Sequence, residues 1–139
     1  MKHLLLKKLI KKILINHNLI NKHAETCANA LINAELVGAP SHGLSRLRMY
    51  CERISKKVIN PKPKIKIKKI SQSISHIDAD NSIGFVAADT AIKVGIKNAK
   101  KTGIGLVAVK NSGHYGLSGY YAEQAVKKGL MVMVFTNAP

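Results

Sequence analysis

The sequence predicts an α/β fold in which N-terminal helices are followed by a β-hairpin and then by βα units. Three observations carry this. Up to about residue 55, apolar residues recur at helical spacing. Between residues 63 and 80 they alternate with polar ones. From residue 103 onward, short apolar runs stand on either side of one further helical stretch.

The first helix covers the N-terminus, where Leu6, Leu9, Ile10, Ile13 and Leu14 share a face and lysines stand opposite. Residues 16 to 21 read as a break. A second helix runs from about Lys22 to Val37, with Ala24, Cys27, Ala28, Leu31, Ile32 and Leu36 on its inner side, and Gly38-Ala39-Pro40 ends it. Ser41 is placed to N-cap a third helix, striped by Leu44, Leu47, Cys51 and Ile54. After Pro61 and Pro63, residues 63–70 alternate as a strand with an exposed face. Residues 74–80 pair with it as a hairpin, and Asp78 and Asp80 read as turn acids after that second strand. Helical spacing returns from Ser82 to Lys101, where Ala87, Ala88, Ala91, Val94, Gly95 and Ala99 make a small-residue packing face. Residues 104–109 form a short strand apolar enough for burial on both faces. A glycine-rich loop, a helix from about Leu117 to Lys128 and a final strand at 130–135 complete the pattern.

Composition narrows the function classes. At 139 residues the chain fits one ordinary domain, and with 46% apolar but only 4% aromatic residues its core must be aliphatic. The formal charge of +16 rests on 20 lysines and only three arginines. Nucleic-acid readers use arginine and aromatics on phosphates and bases, so the charge reads as a solvated lysine surface, with no nucleic-acid partner. Lysines at positions 7, 8, 11 and 12 interrupt the N-terminal apolar run, which therefore fits neither a signal peptide nor a membrane span. Two cysteines suggest neither a disulfide framework nor a metal site, and reduced cytoplasmic thiols are expected.

Two segments carry chemistry. In PSHGLSR, residues 40–46, His42 falls in the first helical turn and Arg46 four residues later on the same face. Backbone N–H groups and a guanidinium there suit a carboxylate, and an imidazole can give or take a proton near neutral pH. In the second, His114 stands among Gly113, Gly116 and Gly119, which allow close approach of another group to the loop. Two loops, each with a histidine near a helix start, can face one cleft. Residues 103–108 formally match a dinucleotide fingerprint, but these glycines precede a strand instead of following one, so they read as a turn.

The segments ALINAELVGAPSHGLSRLRMYCERI, IDADNSIGFVAADTAI and GIGLVAVKNSGHYGLSGYYAEQAVKKGLMVMVFTNAP resemble, in that order, the type 2 malate/L-lactate dehydrogenase family. That family also includes ureidoglycolate dehydrogenase and diketogulonate reductase and has a non-Rossmann fold. The resemblance implies NAD- or NADP-dependent interconversion of a 2-hydroxy acid and a 2-oxo acid in a cytoplasmic homodimer. It implies that Arg46 binds the substrate carboxylate with Ser41 alongside, and that His42 and His114 are catalytic, leaving open which of them handles the proton. Thr136, Asn137 and Ala138 would approach the coenzyme, although relatives often carry Ser or Thr where Ala138 stands, and Ala39-Pro40 replaces a more polar pair. Members are more than twice as long. The chain is thus expected to be the N-terminal part of such an enzyme, with a helical segment at 1–60 and the incomplete start of a mixed α/β coenzyme and substrate domain at 61–139. The alternative is a non-catalytic remnant acting as a dimerising or anion-binding module.

Overall fold

In the computed structural model, which describes residues 2–137, helix α1 (Lys2–Asn16) lies against α2 (Asn21–Leu36). Ile10 and Leu14 are buried between them, and Glu25 on α2 receives both Lys7 and Lys11 at 2.6 Å. Leu9, assigned to the inner face from spacing, is 53% exposed. Ile10 and Leu14 set the direction of the buried stripe, and a residue one step before Ile10 is turned about 100° away from it. Helix α2 buries Ala24, Cys27, Ala28, Ala30, Leu31, Ile32 and Ala34, small enough side chains for close packing on two sides. Its end is closed by Gly38 N–H on Glu35 O and Ala39 N–H on Ala34 O, the paired bonds of a Schellman motif. Leu36 lies in that last turn and is exposed instead of buried.

Two 3-10 turns, Pro40–His42 and Leu44–Arg46, lead into α3 (Leu47–Ser55). The three-stranded sheet has the order β1 (Lys66–Lys69), β2 (Ile74–Ser82), β3 (Leu106–Ser112). β1 and β2 pair antiparallel with Lys66 opposite Asp78, as the alternation predicts. β2 and β3 pair parallel with Ile74 opposite Leu106. Helix α4 (Gly84–Thr102) makes the crossover, and α5 (Ser118–Val126) follows β3. One core joins Ile10 and Leu14 to Leu31, Tyr50, Ile54, Ile83, Phe85 and Val86.

Three local expectations are corrected. Asp78 and Asp80 lie inside β2, where the register breaks between Asp78 and Ser82 and Asp80 and Asn81 take positive φ. Asp80 is held there by Asn60 Nδ2 and the Lys64 N–H, at 3.0 and 2.8 Å, so the carboxylates stitch neighbouring chain to a bulge. β3 is largely exposed and not buried on both faces, because among the described residues only β2 runs beside it. Residues 130–135 form no strand: Met131 is 96% exposed and Phe135 84%, with no ladder alongside in the described chain to satisfy a strand's backbone.

Candidate functional site

His42 comes from the first 3-10 turn and His114 from the loop between β3 and α5. Their rings stack 5.8 Å apart at 26°. The turn carrying His42 is not the capped α-helix that spacing suggested. Ser41 caps nothing. Its Oγ lies 3.0 Å from His42 Nδ1, and its carbonyl accepts a 2.8 Å hydrogen bond from Arg46 Nε. The N–H that a cap would have satisfied finds its acceptor on α2 instead, since the Leu44 N–H donates to Glu35 Oε1 at 2.7 Å. Ser41, His42 and Arg46 are therefore gathered by two tight turns tied to α2, with the guanidinium folded back onto Ser41.

The His114 loop is fastened from three sides. Against α4 it packs so closely that a Cβ at Gly84 would lie 2.5 Å from the His114 carbonyl carbon and nearer still to the Gly113 and His114 oxygens. Gly116, at φ +77°, sits over Phe85, whose Cε1 a Cβ there would meet at 2.6 Å. From α5, the Tyr121 hydroxyl donates to the Tyr115 carbonyl at 2.7 Å, and rings of Tyr115 and Tyr120 stand edge-on to Tyr121. From α3, the Tyr50 hydroxyl meets His114 Nδ1 at 2.7 Å. Desolvation of the His114 ring, with the charges of His42, Arg46 and Arg53 adding to it, lowers its basicity below that of a free imidazole.

Of the residues singled out from sequence, Ser41, His42, Arg46 and His114 come together. Thr136 and Asn137 lie exposed on irregular chain after α5, and Ala138 lies outside the described residues. Tyr50 was missed, although the signal was present: it falls three residues after Leu47 and four before Ile54, on the buried stripe of α3. Gly103 ends α4 with its N–H on Ala99 O, and Gly105 precedes β3, so neither opens a helix toward a pyrophosphate. Among the described residues, no three His, Cys, Asp or Glu side chains group as metal ligands, and no helix is long and apolar enough to cross a membrane.

Two imidazoles beside a guanidinium make a site suited to a small anion with a proton to gain or lose. The chain belongs to the malate/L-lactate dehydrogenase family, whose model matches residues 1–139. It is 44% identical to the malate dehydrogenase of Pyrococcus abyssi over 115 residues, 83% of this chain and 32% of that protein. To the L-sulfolactate dehydrogenase of Methanocaldococcus jannaschii it is 37% identical over 131 residues, 94% of this chain and 38% of that one. The solved structure of malate dehydrogenase from Pyrococcus horikoshii OT3 matches with a TM-score of 0.87 at 38% identity, over 89% of this chain and 36% of that chain. The chain thus spans about a third of the length of the curated relatives it matches.

Proposed function

We propose that the chain serves the NAD(P)-dependent interconversion of a small 2-hydroxy acid and its 2-oxo acid. The observation that carries this reading is the convergence of His42 and His114, with rings 5.8 Å apart, beside Arg46. With its Nε engaged by the Ser41 carbonyl, Arg46 keeps its two terminal nitrogens for a bidentate carboxylate. Ser41 stands beside His42 and lends a hydroxyl to the same cluster. In the reducing direction the substrate oxygen must gain a proton as its carbon gains hydride, and the imidazoles are the groups in reach for that oxygen.

Bound coenzyme supplies the hydride. Thr136, Asn137 and Ala138 are the proposed approach to it, as either NAD or NADP, but Thr136 and Asn137 stand exposed and do not by themselves form a cradle. The described residues therefore contribute the anion-binding and proton-handling side of the reaction. In this reading residues 1–60 are a helical segment and 61–139 the start of a mixed α/β domain, in a cytoplasmic homodimer. Exposed Met131, Met133 and Phe135 favour a second reading, a non-catalytic module that binds anions or dimerises through this apolar segment.

The test is a titration of the 139-residue chain and its Arg46→Ala variant with a 2-oxo acid, oxaloacetate first, and with NADH and NADPH followed by coenzyme fluorescence. Saturable oxo-acid binding lost in Arg46→Ala supports the site. Coenzyme binding with turnover supports the enzyme over the module, and oxo-acid binding indifferent to Arg46 refutes the site.

A further inference from the structure

Tyr50 is 1% exposed, its ring edge-on to Phe85 with centroids 5.0 Å apart. A phenol buried in this way needs a partner for its hydroxyl, and the partner is His114 Nδ1 at 2.7 Å. Burial also pushes the Tyr50 acidity well away from neutral, so the group stays an O–H. The same ring nitrogen receives a second contact, the Gly116 N–H at 3.4 Å. An amide N–H can only donate. Nδ1 accepts from that N–H and so carries no proton of its own, which leaves the Tyr50 O–H as the donor in the shorter 2.7 Å bond. The ring proton then belongs to Nε2.

We infer that Tyr50 is a positioning residue that fixes His114 in the Nε2–H tautomer. The consequence rests on the function proposed above: His114 offers a substrate oxygen a hydrogen-bond donor already in place, so the oxygen meets an N–H and not a lone pair. The surroundings agree with a neutral ring. The charged and titratable groups that bear on His114 are His42 and Arg46 from the 3-10 turns and Arg53 and Tyr50 from α3. The cations all disfavour a second proton.

The test reads the free chain, labelled with 15N-histidine, by long-range proton–nitrogen correlation at pH 8, with the His114 signals assigned by their loss in His114→Gln. The expected wild-type pattern is a single Nε2–H tautomer with Nδ1 shifted as an acceptor. Tyr50→Phe keeps the ring against Phe85 but removes the O–H, and the Nδ1 signal should move toward that of a mixed tautomer. An Nδ1–H pattern in the wild type, or an unchanged spectrum in Tyr50→Phe, overturns the inference. Should Tyr50→Phe fail to fold, chain labelled with 3-fluorotyrosine replaces it. Tyr50 alone among the described tyrosines hydrogen-bonds the ring, so its more acidic hydroxyl should shift Nδ1, and an unmoved signal refutes the role. Oxaloacetate is then added to the same sample. A chain that shows the tautomer but does not respond to oxaloacetate keeps Tyr50's role and sinks the proposed substrate class, while the reverse pattern does the opposite.

Discussion

Gly84→Ala is a one-methyl change at the start of α4, at a position remote in sequence from either histidine. The added carbon would lie 2.5 Å from the His114 carbonyl carbon, where ordinary contact begins at 3.4 Å. The His114 loop must therefore retreat by about 1 Å, and the atoms that obstruct are backbone, with no side chain free to swing aside. Overpacking of this kind costs about 1–3 kcal/mol, here toward the upper end, while replacing a helical glycine returns about 0.5–1 kcal/mol. The net expectation is a loss of about 2 kcal/mol, or roughly 5–10 °C in melting temperature for a chain of this size. The retreat also disturbs the placement of His114 against Tyr50 and His42, so oxo-acid binding should weaken even where the variant is folded. Urea unfolding by circular dichroism and the histidine nitrogen spectrum are the two assays. A variant within about 0.5 kcal/mol of wild type and with unmoved His114 signals would refute the argument that this glycine sets the loop.

Other outcomes follow from the same geometry. Arg46→Lys should weaken oxo-acid binding by roughly tenfold or more, because an ammonium cannot reproduce the planar fork; calorimetric titration checks this. For His114 the folded state holds the pKa below the unfolded 6.5. The unfolded chain thus binds the proton more readily, and the stability contribution is complete above 6.5 and falls away as pH drops through the folded value. His23, lowered by burial and then by Lys22, acts with the same sign. Urea midpoints should decline from pH 7 to 5, less steeply in His114→Gln, and parallel declines would remove His114 from the explanation. Glu25→Gln should cost about 0.5–1 kcal/mol at low salt and little at 1 M. Lys11 and Lys7 hold that carboxyl down at about 2, so in the wild type this contribution is present above the ordinary carboxylate range and persists until pH falls through that value.

Much of the fold is legible because short-range rules govern it. The small inner face of α2, its Gly38 ending and the β1–β2 alternation each follow from local spacing and chain punctuation. What was misread depends on distant groups. Ser41 has the right position for a cap, but Glu35, nine residues before Leu44, supplies the carboxylate that satisfies the Leu44 N–H, and the chain turns tightly instead. Residues 130–135 have strand-like side chains, yet a strand exists only where a neighbour accepts its hydrogen bonds. Asp78 and Asp80 look like turn formers because the bulge in β2 uses turn chemistry: Asp80 takes positive φ, and its N–H donates to Asp78 Oδ1 at 3.1 Å. The site showed the same division. His42, Arg46 and His114 were visible as residue types in suggestive loops. Tyr50 was hidden by its periodicity, since on the buried stripe of a helix an aromatic ring looks like packing until the partner of its hydroxyl is known.

The two imidazoles hang from different parts of the scaffold. His42 is carried by turns moored to α2 through Glu35, and His114 by a loop pressed on the first turn of α4 and braced by α5. Helices α2 and α4 share one core, to which α2 contributes Leu31 and α4 Phe85. The spacing of the two rings is therefore a gauge of how those helices sit, as the gap of a caliper reports the angle of its arms. Any core substitution that tilts α4 against α2 will register at the histidines before it registers as unfolding.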